Sequence, residues 1–149
     1  MIPKGYVRDT QYRQRYFKEN EPVVEAKYRC AYCGKQLSYK DATVDHLFPV
    51  FKMSHSERVR QKAKRFGING VNETKNLVCA CRSCNSKKGT KMGLWIIRGM
   101  IGRHEAFWKA LHVFECAVVL AVILIGYHLY QSYGENMQIV KQFVDNFRF

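Results

Sequence analysis

Two cysteine pairs of identical spacing constrain the fold of this chain more than any other feature. Cys30 and Cys33 form the first pair, and Cys81 and Cys84 form the second, each as Cys-x-x-Cys. Residues 1–21 are polar and charged rather than apolar, so we expect no secretory signal, a cytoplasmic location and reduced thiols. Paired cysteines in a reducing compartment predict a metal site rather than disulfides. Four thiolates at this spacing predict a closed, tetrahedral, structural Zn²⁺ site.

The net charge of the chain indicates which classes of partner it binds. The 149 residues carry a formal net charge of +13, which favours a polyanionic partner, either nucleic acid or an anionic membrane surface. Residues 111–149 contain two basic and three acidic residues, which leaves +14 on residues 1–110. We therefore expect the phosphate-binding surface to lie in the first three quarters of the chain.

The sequence predicts three segments: a basic N-terminal segment 1–26, a central domain 27–92 and a hydrophobic C-terminal region 93–149. A short polar helix is expected from Asp9 to Asn20 in the first. Within the second, Ser54-x-x-Glu57 is typical of a capping box and Gly67 of a helix end, so we predict an inserted basic helix over 54–66. The cations of this helix either contact DNA phosphates or form a solvated face. They are Arg58, Arg60, Lys62, Lys64 and Arg65.

The C-terminal region contains an apolar run that predicts a transmembrane helix over 111–130. About 20 mostly apolar residues are long enough to cross a bilayer core. Tryptophans and tyrosines flank the run, as interfacial aromatics do, and more cations precede it than follow it. This bias predicts a membrane-anchored protein with its N-terminal domain in the cytoplasm. The alternative is a helix buried within a soluble protein or against a partner.

A short strand is predicted between the two cysteine pairs. Thr43 and Val44 are β-branched and favour extended backbone, and Pro49 ends the strand because it has no N–H to donate. Asp45 and His46 lie at the end of this strand. An isolated Asp-His pair is more often structural than catalytic, so the residues around it decide its interpretation.

Two later segments supply that context. Asn76-Leu77-Val78 predicts a returning strand, and the residues that follow Cys84 predict the start of a helix. Because residues three apart share a helix face, Lys88 is expected beside Asn85. Together the segments bring several polar side chains toward one hairpin.

The order and spacing of these motifs resemble the HNH endonucleases, also called ββα-metal nucleases. The resemblance covers residues 28–88 and consists of the cysteine pair with its glycine, the Asp-His-x-x-Pro step, the Asn-Leu-Val strand and the Cys-x-x-Cys-Asn-x-x-Lys helix. It implies an α+β fold: a ββα-metal finger with a structural four-cysteine zinc site, to which this chain adds its hydrophobic helix. About 26 residues between Pro49 and Asn76, which include the basic helix, depart from the family pattern.

The resemblance also implies roles for individual residues. His46 corresponds to the general base that activates water, and Asp45 and Asn85 correspond to the ligands of one catalytic Mg²⁺ or Mn²⁺. Asn76 corresponds to the asparagine that holds the hairpin and orients the histidine backbone. Beside these, the sequence offers cations for flanking phosphates. These are Arg82, Lys87 and Lys88.

The function expected from the sequence is hydrolysis of DNA phosphodiester bonds, with duplex DNA as the expected substrate. A neutral imidazole accepts the proton of the attacking water, and one divalent ion stabilises charge on the phosphate. Two alternatives stay open. One is a non-catalytic, zinc-stabilised nucleic-acid-binding module, and the other is a soluble restriction or homing-type nuclease whose C-terminal helix packs on a partner.

Overall fold

The computed structural model describes residues 2–22 and 27–146, which divide into two compact units, residues 1–108 and 109–149. The predicted boundary at residue 26 and the C-terminal residues 147–149 lie outside the described residues. The strands are β1 (Tyr28–Arg29), β2 (Gln36–Leu37), β3 (Ala42–His46) and β4 (Leu77–Cys81). The helices are α1 (Tyr12–Glu19), α2 (Val50–His55), α3 (Glu57–Arg65), α4 (Arg82–Lys88), α5 (Leu94–Gly102) and α6 (Glu105–Asn146), with a 3₁₀ turn at Thr74–Asn76.

An antiparallel hairpin of β3 and β4 lies at the centre of the first unit. Its register pairs Ala42 with Cys81 at one end and His46 with Leu77 at the other. Because successive side chains alternate between faces, Thr43 and Asp45 share one face while Val44 and His46 share the other. Helix α4 contacts the first face and α1 contacts the second. The hairpin and its two helices therefore give the ββα arrangement that the sequence predicted, with a second helix added from the N-terminal segment.

The first cysteine pair lies in a knuckle between β1 and β2, which pair antiparallel. Gly34 adopts φ +75°, a conformation that side chains rarely adopt, and a Cβ there would lie 2.6 Å from the Trp108 ring. Arg29 forms an ion pair with Glu105 at 2.8 Å and also donates to the Gly34 carbonyl. The first turn of α6 therefore belongs to the domain that contains the knuckle.

The predicted basic helix over 54–66 is wrong at its N-terminal end. The structure has two helices there, and Ser56, not Ser54, caps α3 by accepting a hydrogen bond from the Val59 amide. Ser54 is instead buried near the end of α2 and donates to the Tyr6 carbonyl. Pro49 is the N-cap of α2, since its fixed φ suits a helix start. The serine nearest the glutamate therefore caps the helix.

The N-terminal helix is shorter than predicted, because α1 begins at Tyr12 rather than near Asp9. The Asp9 carboxylate accepts hydrogen bonds from the Gln11 amide and from Arg15, which lower its pKa below the usual value. Tyr16 and Phe17 are buried, so the helix packs on the core through aromatic side chains.

Helix α6 extends beyond the predicted 111–130 segment at both ends and spans 42 residues, a length of about 63 Å. Within the described residues, it is the one helix long and apolar enough to cross a membrane. None of its most apolar 18-residue window is buried in the protein. A long apolar C-terminal helix is thus part of this fold.

Candidate active site and metal centre

The four paired cysteines converge on one point, as their spacing predicted. The Sγ atoms of Cys30, Cys33, Cys81 and Cys84 all lie within 4.8 Å of one another, and Cys33 and Cys81 are 4.0 Å apart. A tetrahedral site with Zn–S distances of about 2.3 Å needs sulfur separations of about 3.8 Å. The four thiols therefore fit a structural metal of the zinc type.

The thiols of this cluster differ in their protonation behaviour. Burial raises the pKa of Cys30 and of Cys84. At Cys81, partial burial acts in the same direction, but the Cys84 backbone N–H and neighbouring thiols outweigh it and lower the pKa. The Cys84 amide lies 3.4 Å from the Cys81 sulfur, so the start of α4 already favours a thiolate there.

Asp45 is nearly buried on the α4 face of the hairpin, with 7% of its surface exposed. Its Oδ2 atom accepts a hydrogen bond from the Tyr32 hydroxyl at 2.5 Å and lies 3.0 Å from the Lys88 ammonium. A buried carboxylate without such partners would be strongly destabilised. The carboxylate is therefore held in place by one group from the knuckle and one from α4.

Asn85 lies on the same face of the hairpin as Asp45. Its Nδ2 atom donates to the Thr43 hydroxyl at 3.1 Å, and this bond leaves the amide oxygen Oδ1 for another partner. Thr43 in turn donates to the Ala80 carbonyl on β4. The structure thus places an amide oxygen and a carboxylate, both suited to a hard cation, over one face of β3.

His46 ends β3 on the opposite face, where α1 covers it. Only 2% of its surface is exposed, and the Tyr12 ring centroid lies 4.9 Å from the imidazole. Burial lowers the pKa of His46 to about 4, the charges of Arg8 and Lys88 act in the same direction, and Asn72 opposes them. The imidazole is therefore neutral at pH 7, and its buried Nε2 makes no hydrogen bond within the described residues.

Asn76 bridges the two ends of the long insertion and is fully buried. Its side chain accepts from the Phe48 amide at 2.8 Å and donates to the Val71 carbonyl at 2.9 Å, while its own carbonyl accepts from the Leu47 amide. These bonds hold the residues directly after His46, so Asn76 determines how the chain leaves β3.

Lys88, which the sequence predicted as a phosphate contact, is buried in the domain rather than exposed to solvent. Its side chain is fully buried, donates to the His46 carbonyl at 2.7 Å and pairs with Asp45. Burial lowers its pKa, and the Asp45 charge opposes this effect. Lys88 lies three residues after Asn85 on α4, so both side chains face the β3–β4 hairpin.

Arg60 departs from the prediction in the same way, because its guanidinium is used within the protein. It donates to the Met53 and Ser54 carbonyls, pairs with Glu57 and lies over the Tyr6 ring. The other predicted phosphate-binding cations are exposed to solvent. They are Arg58, Lys62, Lys64, Arg65, Arg82 and Lys87.

Sequence reasoning missed Tyr32 and Thr43, the two residues that contact the candidate ligands from outside the motif. Tyr32 is spacer sequence inside the first Cys-x-x-Cys pair, and nothing in that pattern predicts where its hydroxyl points. For Thr43 a signal existed, since its position two residues before Asp45 places both side chains on one strand face.

Comparison with known proteins agrees with this geometry. Residues 30–91 match the HNH endonuclease family, and this range contains all four clustered cysteines and the polar residues around β3. A 68-residue stretch is 31% identical to the CRISPR-associated endonuclease Cas9 of Corynebacterium diphtheriae. That stretch is 45% of this chain but 5% of the Cas9 length, so the likeness covers a small part of Cas9. No solved structure matches the chain. Residues 30–91 of this chain are therefore similar to the HNH endonuclease family.

Proposed function

We propose that this protein is a divalent-metal-dependent endonuclease that hydrolyses phosphodiester bonds of DNA. One observation carries the proposal: within residues that match the HNH family, Asp45 and Asn85 lie over one face of β3, and His46, the next residue along the strand, lies on the opposite face. The strongly basic first 110 residues support a nucleic-acid substrate. The four-cysteine cluster would hold Zn²⁺ and stabilise the fold.

Asp45 and Asn85 are the proposed ligands of one Mg²⁺ or Mn²⁺. Carboxylate and amide oxygens suit hard cations of this kind better than soft metals. When bound, the ion would stabilise negative charge on the phosphate and on the departing oxygen. The contacts to Tyr32, Lys88 and Thr43 support this assignment because they fix both side chains before any metal arrives.

His46 is the proposed general base. Its lowered pKa keeps the imidazole neutral at pH 7, and the buried Nε2 has no hydrogen-bond partner within the described residues, so it can accept a proton from a water molecule that reaches it. The Lys88 bond to the His46 carbonyl and the Asn76 bonds to the next two residues fix the backbone from which the ring projects.

The exposed cations of α3 and α4 are the proposed phosphate contacts. Four of them follow one another along α3, and Arg82 and Lys87 lie on α4 beside the cysteine cluster. Such contacts position a duplex without reading its sequence. Their exposure supports this role, in contrast to Lys88 and Arg60.

Cleavage of supercoiled plasmid by the full-length protein in mild detergent tests this function. We expect Mg²⁺-dependent nicking or linearisation that EDTA abolishes, and a loss of at least about 10²-fold in Asp45→Asn, because the amide no longer supplies a negative ligand. Asp41→Asn, a change at an exposed carboxylate, should leave the rate unchanged. Circular dichroism of each variant excludes unfolding.

The same assay separates the nuclease from a non-catalytic binding module. Both would retard DNA in a gel, but only the nuclease produces nicked plasmid. DNA binding without any cleavage by the wild-type chain, in Mg²⁺ or in Mn²⁺, would favour the binding module.

We further propose that α6 anchors the protein in a membrane through residues 111–130, with the nuclease domain in the cytoplasm. The helix is long enough, and its apolar side chains are not buried in the protein. Lys91, Arg98, Arg103 and Lys109 precede the run, which supports the cytoplasmic orientation of the nuclease domain.

Membrane fractionation tests the anchor. The full-length chain should resist carbonate extraction, whereas a chain ending at Ala110, which keeps Glu105 and Trp108, should be extracted and still cleave DNA. A full-length Leu120→Arg, Ile123→Arg variant should also leave the membrane, since each central arginine costs about 2.5–3.5 kcal/mol on insertion. A wild-type chain that is soluble without detergent would support the partner-packed helix instead.

A further inference from the structure

Tyr32 joins the two candidate metal sites. It lies between Cys30 and Cys33, so both neighbours along the chain belong to the four-cysteine cluster or its knuckle. Its ring is 1% exposed and packs edge-on against Trp95, with ring centroids 5.3 Å apart. A Cβ at Gly99 would lie 2.9 Å from this ring, so α5 packs closely against the Tyr32 ring. The ring is therefore fixed on both sides.

The Tyr32 hydroxyl makes a contact that packing alone does not require. It donates to Asp45 Oδ2 at 2.5 Å, inside the domain. The Lys88 ammonium lies 3.0 Å from the same oxygen, and Lys88 also donates to the His46 carbonyl. The other carboxylate oxygen, Oδ1, takes part in neither contact. Two donors on one oxygen fix the rotation of the carboxylate and leave Oδ1 for a cation.

We infer that Tyr32 is a positioning residue for the proposed nuclease, through which the four-cysteine cluster orients Asp45 toward the catalytic metal. The inference rests on the proposed function. Groups that hydrogen-bond to a metal ligand typically change metal affinity by about 10- to 100-fold when they are removed. Here the supporting group is the hydroxyl of Tyr32, which lies between two cysteines of the structural metal centre. Folding of the knuckle therefore also fixes the Asp45 carboxylate.

The inference predicts a defect in binding the catalytic metal without a defect in folding. Tyr32→Phe removes the hydroxyl and retains the ring that packs against Trp95. The experiment measures Mn²⁺ binding by isothermal titration or by electron paramagnetic resonance, on zinc-loaded full-length protein in detergent without DNA. We expect Tyr32→Phe to bind Mn²⁺ about 10- to 100-fold more weakly, with wild-type zinc content and a cooperative thermal transition that falls only slightly, as loss of one buried hydrogen bond implies. Plasmid cleavage should need correspondingly more Mn²⁺ and recover at high concentration.

Tyr28→Phe is the matched control. It removes a hydroxyl from β1, two residues before Cys30, and Tyr28 contacts Phe17 and Tyr39 rather than Asp45. This variant should bind Mn²⁺ with wild-type affinity.

The Asp45→Asn variant separates failure of this inference from failure of the proposed function. Unchanged Mn²⁺ binding in Asp45→Asn would overturn the proposed metal site and this inference with it. Loss of Mn²⁺ binding in Asp45→Asn together with wild-type binding in Tyr32→Phe would overturn the Tyr32 role alone. A Tyr32→Phe chain that loses its zinc or its cooperative transition would also count against it, because the hydroxyl would then serve the fold rather than Asp45.

Discussion

Replacing Cys30 with serine is expected to unfold the domain that contains the four-cysteine cluster and to abolish the proposed nuclease activity. Cys30 is fully buried at the knuckle, and its thiol belongs to the four-cysteine cluster. Structural zinc contributes about 10–16 kcal/mol of apparent binding free energy in small zinc domains, which exceeds the net stability of most domains. The same collapse should follow removal of zinc by a strong chelator.

Metal analysis and thermal unfolding by circular dichroism measure this effect. The wild-type chain should contain about one zinc, and Cys30→Ser should contain much less and show no cooperative transition for the domain. Cys116→Ser, which changes an exposed thiol in α6 outside the cluster, should keep both the zinc and the transition. Unchanged zinc and melting in Cys30→Ser would contradict a structural metal centre.

Replacing His46 with alanine is expected to reduce DNA cleavage by about 10²- to 10⁴-fold, the usual effect of losing a general base. Zinc content and DNA affinity should stay near wild type, because neither the cysteine cluster nor the exposed cations contact the imidazole. His55→Ala, a change at an exposed histidine of α2, is the control and should cleave normally. Cleavage at the wild-type rate by His46→Ala would contradict the proposed role.

The pH dependence of cleavage gives an independent check of the same group. Burial lowers the pKa of His46 to about 4. The imidazole therefore stays neutral, and able to accept a proton, at pH values well below the usual histidine pKa of 6.5. Activity should therefore hold as the pH falls through 6.5 and decline only as it approaches 4. A decline centred on 6.5 would indicate a solvent-exposed base.

Local patterns predicted a large part of this structure. The spacing of the cysteines predicted the cluster, the β-branched residues before Asp45 predicted β3, and the apolar run predicted a long C-terminal helix. The boundaries of the inserted helices were wrong, since two serines two residues apart are both acceptable caps. Ser54 donates to the carbonyl of Tyr6, from a distant segment, and Ser56 is left to cap α3.

The sequence by itself determined the resemblance to the HNH family, the four-cysteine cluster and the candidate residues around β3, because each follows from residue type and spacing over a short stretch. Only the tertiary structure decided where these side chains point. Lys88 was expected on the surface but is buried against Asp45 and the His46 carbonyl, 42 residues away along the chain. Tyr32 supports the same carboxylate, and α1 covers His46. Such contacts depend on how distant elements pack, and a helix or strand pattern does not contain that information.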